Sequence, residues 1–247
     1  MKHLRAYRFI ADSPNWVPNV LLGSVCALIP AIGPIVFWGY AFEVAESLHR
    51  RGDGNFPDFD FNRFVKYLVR GVWPWLVHLP VQMVFTFALI GLLYVGFFAI
   101  IMAGSSGGPV GWIALLLFGL LLLLLFVHFL IDLLLAPLAL RMGLSQELAF
   151  AVSLRFAREF LSLTWKELLI AQLFLWVTSL PLLVAGALIP VIGGYIATVV
   201  VELAQAHLLY QLYELYLKRG GLPVPLRLEE LSSWQIRDAG VREPWRA

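Results

Sequence analysis

A few ionisable side chains interrupt the apolar runs of this sequence, and their spacing places some of them on common helix faces. His128 and Asp132 are four residues apart, so on a helix they lie on one face. An aspartate beside a histidine can hold the imidazole charged for proton transfer, or orient the ring toward a metal. Ionisable groups inside a membrane-embedded segment are costly, and they are therefore candidates for a functional site.

Two further pairs have the same character, because Glu43 and Glu46 are three residues apart and so are Glu202 and Gln205. We predict that an intramembrane polar site draws on these pairs and on the histidine–aspartate pair, with Glu43, Glu46, His128, Asp132, Glu202 and Gln205 as its residues. In the competing interpretation, the same groups lie near helix ends, where they reach water or pair with basic side chains.

Other kinds of chemistry have little support in the sequence. The single cysteine, Cys26, and the lack of a His-Glu-x-x-His motif give no ground for a metal. No phosphate-binding loop and no Gly-x-Ser-x-Gly elbow occurs, and we expect no catalytic residue and no cofactor. His78 follows Trp75 by three residues, which is typical of the membrane interface.

The composition indicates the elements that hold these residues. Of the 247 residues, 60% are hydrophobic and 14% are charged, whereas a soluble domain carries about 25% charge. No Asp, Glu, Lys or Arg occurs in 13–42, 71–131 or 168–201. A transmembrane helix needs about 20 apolar residues. The sequence therefore predicts an integral membrane protein.

The basic residues predict its topology. All 18 Lys and Arg lie in the segments 1–8, 50–70, 141–166 and 218–246, and short cytoplasmic loops collect such residues. We predict an all-α polytopic bundle of about six membrane segments in three hairpins, with both termini on the cytoplasmic side of the cytoplasmic (inner) membrane. Cytoplasmic amphipathic helices over 62–70 and 145–163 would join the hairpins. Residues 1–220 would form one membrane domain and 221–247 a tail.

A repeated motif marks two of the predicted hairpin tips. The sequence ALIPAIG at 27–33 returns as ALIPVIG at 187–193, so we interpret the pair as an internal repeat. The predicted turn residues are Pro30, Gly33, Pro34, Pro190, Gly193 and Gly194. The first hairpin, 17–49, has a rival interpretation as one kinked span. Its first arm reaches only about 20 Å at 1.5 Å per residue, short of a hydrocarbon core of about 30 Å.

Several short motifs resemble a known family. The segments SPNW at 13–16, LIP at 28–30 and FPDFD at 56–60 are similar to those of the prokaryotic membrane family catalogued as domain of unknown function 4013. Residues Ala136 and Pro137, together with a following helix rich in arginine, resemble the membrane region of glycerophosphodiester phosphodiesterases. The resemblance implies a bacterial or archaeal six-segment membrane protein of unassigned activity, and it implies no catalytic residues.

Three functions remain open at this stage. The leading hypothesis is a non-enzymatic module that binds lipid or a membrane protein partner, including a second copy of itself, with its basic segments on the anionic inner leaflet. The alternative is a transporter or channel for a small solute or ion, because paired Pro/Gly-broken segments are a pointer to transport sites. An enzyme acting on lipid headgroups would have only Asp58 and Asp60 as its acids. Nucleic-acid binding is not expected.

Overall fold

The computed structural model describes residues 1–51, 57–105, 108–146 and 153–225, and the regular secondary structure of these residues is entirely helical. The prediction of an all-α fold is confirmed. The seven α-helices, together with a 3₁₀ turn at Phe61–Arg63, are α1 (Arg5–Asp12), α2 (Trp16–Ala27), α3 (Ile32–Arg51), α4 (Phe64–Ser105), α5 (Val110–Ser145), α6 (Leu154–Ala187) and α7 (Ile192–Lys218).

Four of these helices, α4 to α7, are long and apolar enough to cross a membrane. The helix α2 has only 12 residues, and α3 has 20 residues that include Glu43, Glu46 and Arg50. The six predicted segments are therefore four helices of spanning length and a shorter pair, α2 and α3.

The pair α2 and α3 folds back on itself as a hairpin. A Cβ atom built on Gly33 would stand 2.1 Å from the carbonyl oxygen of Cys26, so the two backbones touch beside the turn. Such an approach requires glycine, because any side chain would collide with the neighbouring carbonyl. The hairpin interpretation of 17–49 therefore holds, and the single kinked span does not.

The turn before α3 and the turn before α7 have the same backbone geometry. Ala31 and Val191 both have positive φ angles, 62° and 65°. In each turn the amide two residues after the proline donates to the proline carbonyl, at 2.7 Å from Pro30 and at 2.8 Å from Pro190. The other predicted turn residues lie in the first turns of the helices that follow, namely Gly33, Pro34, Gly193 and Gly194.

The long helices form a ring in the order α3, α4, α5, α6, α7, in which each helix packs against the next and α7 closes on α3. The closest approach is between α3 and α4. A Cβ on Gly39 would stand 1.8 Å from the carbonyl oxygen of Tyr67, and a Cβ on Gly71 would stand 1.8 Å from that of Ile35. Small residues allow such contact between membrane helices, and here they align α3 antiparallel to α4.

Charged side chains gather at the end of the ring where α3 and α7 finish. Arg63 Nη1 lies 2.5 Å from Glu43 Oε1. The buried Arg70 donates to Glu46 and, at 3.1 Å, to the carbonyl of Gly143. We call this end of the molecule the basic end. The turns that precede α3 and α7 lie at the opposite end.

The predicted amphipathic helices are not separate elements. The segment 62–70 runs through the 3₁₀ turn into α4 without a break, and 154–163 is the first part of α6. Ser145 is the last residue of α5 and does not begin a helix, and residues 147–152 of the predicted helix 145–163 lie outside the described residues. The cap of α6 is Ser153, whose Oγ accepts a hydrogen bond from the Phe156 amide at 3.2 Å.

Candidate functional site

A cavity of about 260 Å³ lies inside the ring of helices. Its polar lining comes from four helices: His78 and Gln82 of α4, His128 and Asp132 of α5, Gln172 and Ser179 of α6, and Glu202 and Gln205 of α7. Trp38 of α3 and Trp176 of α6 supply aromatic walls, and none of the described lining residues is Lys or Arg. The volume is just below the ~300–1,000 Å³ of sites for drug-sized ligands. It suits a small solute or the polar head of a larger molecule.

Four of the six residues predicted for an intramembrane polar site line this cavity: His128, Asp132, Glu202 and Gln205. The other two face the basic end. Glu43 pairs with Arg63, and Glu46 pairs with Arg70 and, at 2.7 Å, with Arg50. The structure therefore separates Glu43 and Glu46 of α3 from Asp132 of α5 and Glu202 of α7.

The imidazole of His128 is held mainly by ring contacts. Its plane stacks on Phe85 with the ring centroids 4.0 Å apart. Its Nε2 lies 3.5 Å from Asp132 Oδ2, which is too long for a strong hydrogen bond. Its Nδ1 is buried and has no hydrogen-bond partner among the described residues. Buried polar atoms in proteins are normally satisfied, so this nitrogen is available to a ligand in the cavity.

Trp38 of α3 contacts residues of both α7 and α4 in the cavity. Its indole N–H donates a hydrogen bond to the carboxylate of Glu202, and its ring meets that of His78 edge-on with the centroids 4.7 Å apart. The hydrogen bond fixes the Glu202 side chain against α3, while the ring contact fixes α3 against α4. Glu202 is therefore held by a neutral donor in a wall of aromatic rings.

Among the lining residues that were not in the predicted site, the polar residues and tryptophans are Trp38, His78, Gln82, Gln172, Trp176 and Ser179. The prediction considered acidic residues and their near neighbours, and it placed His78 at the interface. Neutral polar residues inside the charge-free runs carry a usable signal, since Gln82 lies in 71–131 while Gln172 and Ser179 lie in 168–201. The two tryptophans carry no such signal, because tryptophan is common throughout membrane helices and their interfaces.

The comparisons with known proteins give a family. The model of a family described as "Protein of unknown function (DUF4013)" matches residues 22–204, well over half of the chain. The chain belongs to the DUF4013 family. The match includes Trp38, His128, Asp132 and Glu202 of the cavity. No curated protein and no solved structure matches the chain, and the resemblance to glycerophosphodiester phosphodiesterases stays a prediction.

In this DUF4013 protein, the region around the SPNW segment at 13–16 contacts the FPDFD segment at 56–60. Asn15 and Asn19 donate to the two carboxylate oxygens of Asp58, at 2.7 and 3.0 Å. The Asn19 side-chain oxygen accepts the amide of Phe59 at 2.9 Å, and Asp60 accepts the amide of Asn62 at 2.9 Å. These contacts anchor the chain that leads into α4, so the two acids considered for an enzyme have structural partners.

No metal site is evident in the described part of this DUF4013 protein. Within 1–51, 57–105, 108–146 and 153–225, no three His, Cys, Asp or Glu residues are grouped so that they could hold a metal ion. His128 and Asp132 supply two such groups on α5, and Cys26 is buried away from them in α2. The lining of the cavity supplies carboxylate, amide, hydroxyl, imidazole and indole groups.

Proposed function

We propose that this protein is a non-enzymatic membrane module that holds a small polar ligand, a lipid headgroup or a free solute, in the cavity of its helical ring. The observation that carries the proposal is the convergence of polar side chains from four otherwise apolar helices on one cavity. Polar and ionisable groups at such depth are costly unless they have a role. A mostly apolar cavity with a few convergent polar groups is the usual form of a ligand site.

The surroundings of the cavity support entry from the membrane. Gln82 lines the cavity and is also exposed on the surface of α4. The helix α3 begins only at Ile32, and Trp38 is the first of its residues to line the cavity. Beyond Ile32 no residue of α3 covers the neighbouring α4, and this supports a route for the ligand past Gln82 from the lipid-facing side.

Native mass spectrometry of the protein released from lipid nanodiscs tests the proposal. Wild-type protein is expected to retain a ligand mass, and Ser179→Phe, which fills the cavity, is expected to lose it. Ser162→Phe is the matched control, because both serines lie on α6 and both hydroxyls donate to the carbonyl three residues earlier, at 3.0 and 2.7 Å. Retention of the same mass by both variants would contradict the proposal.

Transport of a small solute or ion is the second candidate function. The observation that favours it is the matched geometry of the turns before α3 and α7, since repeated broken segments flank the sites of many transporters. In this interpretation the turns belong to an internal repeat, and the polar residues of α5 and α7 form the path. Flux in proteoliposomes that is abolished by Glu202→Gln would favour transport, and binding without flux would exclude it.

We further propose that the protein lies in the cytoplasmic membrane with its basic end and both termini in the cytoplasm, where the basic side chains contact anionic lipid. In a Cys26→Ala background, Ser105→Cys at the far end of α4 should react in intact cells with a membrane-impermeant maleimide. Arg158→Cys, which replaces an exposed side chain near the start of α6, should react only after permeabilisation. The reverse pattern would invert the orientation.

A further inference from the structure

We propose that the cavity selects a small organic cation, whose ammonium group lies between the carboxylates of Asp132 and Glu202 and against the rings of Trp38 and Trp176. This inference rests on the proposed binding function and adds the chemical class of the ligand. The ammonium group can belong to a free amine or to a lipid headgroup, and the two sources present the same chemistry to the cavity.

The first argument is the difference between the acids of the cavity and the acids of four ion pairs outside it. Each acid of the following pairs has a cationic or basic partner: Glu43–Arg63, Glu46–Arg70, Glu167–Arg219 and Glu214–His49. In contrast, the contacts of the cavity acids with the described residues are the indole of Trp38 for Glu202 and the loose contact with His128 for Asp132. Since none of the described residues that line the cavity is Lys or Arg, a bound cation would supply a charged partner.

The second argument is the free-energy cost of an ionised carboxylate inside the ring of helices. Removing an ionised carboxylate from water is costly unless a counter-charge and hydrogen bonds compensate for the lost hydration. Asp132 and Glu202 belong to facing walls of one cavity, on α5 and α7. One ammonium group bound between them would be a counter-charge for both carboxylates at once.

The third argument is the aromatic lining. Trp38 and Trp176 both face the cavity, and the face of an indole ring attracts a cation more strongly than other aromatic rings do. Rings that surround a cationic group are the usual means of recognising quaternary and methylated amines. The oxygen atoms of Gln172, Ser179 and Gln205 add acceptors for the N–H groups of an amine with fewer substituents.

Calorimetric titration of the protein in nanodiscs made only of phosphatidylglycerol, which has no ammonium group, tests the inference. Choline and ethanolamine are the cationic probes, and their neutral counterparts are 3,3-dimethylbutan-1-ol and propan-1-ol. We expect the cations to bind and the neutral alcohols to bind at least about tenfold more weakly, because a desolvated charge pair is lost. Equal affinity for the cations and the alcohols would overturn the inference and leave the proposed binding function intact.

Substitutions of single acidic residues test where the cation binds. Glu202→Gln and Asp132→Asn should each weaken the binding of the cation about tenfold or more, while Glu202→Asp, which keeps the charge, should retain the preference for cations. Glu167→Gln is the control, because Glu167 pairs with Arg219 at the basic end. If Glu167→Gln weakened binding as much as Glu202→Gln, the assigned site would be wrong.

Nanodiscs that contain phosphatidylethanolamine separate the two sources of the ammonium group. If the lipid headgroup fills the cavity, this lipid should compete with free ethanolamine and raise its apparent Kd, and native mass spectrometry should show the lipid retained by wild type but not by Glu202→Gln. If the ligand is a free amine, the lipid should have no effect on the titration. Failure of both cations and of the lipid to bind would overturn the cation inference, whereas loss of the retained mass in Ser179→Phe would still support the binding function.

Discussion

The side-chain amide of Asn19, which is 2% exposed, donates to Oδ1 of Asp58 at 3.0 Å and so ties α2 to the chain that enters α4. The two residues are far apart in sequence, since Asn19 lies in the apolar helix α2 and Asp58 belongs to the FPDFD segment at 56–60. Because Asn19 also accepts the Phe59 amide, one buried side chain satisfies both a carboxylate and a backbone group.

Asn19→Ala should therefore destabilise the protein by about 1–3 kcal/mol, since it leaves the buried amide of Phe59 without its acceptor and removes one of the two donors to Asp58. Asn62→Ala is a suitable control, because Asn62 is exposed and its side chain contacts only the nearby Asp60. Unfolding of both variants in mixed detergent micelles, followed by circular dichroism, measures the difference. Equal midpoints for the two variants would show that the buried contact contributes nothing.

Close packing between α3 and α4 should depend on two glycines. Gly39→Ala and Gly71→Ala each place a Cβ 1.8 Å from a backbone carbonyl oxygen, so the helices must separate, at a cost of about 1–3 kcal/mol or more. Gly91 also lies in α4, but a Cβ there has nothing within 4 Å. Gly91→Ala should stabilise the helix by about 0.5–1 kcal/mol. Unfolding midpoints that shift in the same direction for all three variants would contradict this account.

The buried guanidinium of Arg70 should contribute strongly to the stability of the basic end. Arg70 is 1% exposed, and it donates to Glu46 and to the carbonyl of Gly143. Arg70→Met should cost about 3 kcal/mol, because it leaves buried groups without their partner. Arg8→Met, at an exposed residue of α1, should change stability by less than about 1 kcal/mol.

A double-mutant cycle separates the two contacts of Arg70. The double variant Arg70→Met/Glu46→Gln should lose less stability than the sum of the two single variants, because the pair is in direct contact. Strict additivity would show that the hydrogen bond to Gly143, and not the ion pair, accounts for the effect of Arg70→Met.

Val191 occupies a strained backbone conformation, with φ 65° and ψ −62°. Such a conformation costs about 1–3 kcal/mol for a residue other than glycine, and the side chain of Val191 is 81% exposed. Val191→Gly should therefore raise the unfolding midpoint or leave it unchanged. Val84→Gly is the control, because Val84 is 71% exposed on α4 and glycine weakens a helix interior. A lower midpoint for Val191→Gly than for Val84→Gly would contradict the assignment of strain.

The helical hairpins could be predicted because charge-free runs and turn residues are local features of the sequence. The ends of α4 and α6 could not be predicted in this way. The segment 62–70 has alternating basic and apolar residues typical of a separate surface helix, but nothing between it and the following apolar run breaks the helix, and Pro74 and Pro80 are accommodated inside α4. The segment 62–70 is therefore continuous with α4 because no helix-breaking residue separates them, and its amphipathic pattern does not make it a separate helix.

The candidate site shows the same limit. Asp132 and Glu202 could be chosen from the sequence because a carboxylate in an apolar helix is conspicuous. Glu43 looks equivalent by that criterion, but the packing of α3 on α4 brings Arg63 within 2.5 Å of it. Whether an acid has a basic partner depends on which helices are neighbours, and this relationship is not encoded in spacing along one helix.

The length of the α4–α5 hairpin has a consequence for where the protein resides. The charge-free part of α4, residues 71–105, extends about 52 Å at 1.5 Å per residue, whereas a typical hydrocarbon core is about 30 Å thick. A bilayer accommodates such an excess when the helix tilts or the lipid chains stretch around it, and each ångström of mismatch costs a fraction of a kcal/mol. The protein should therefore partition into the thicker regions of its membrane, and two copies that share one stretched annulus of lipid should attract each other without any direct contact.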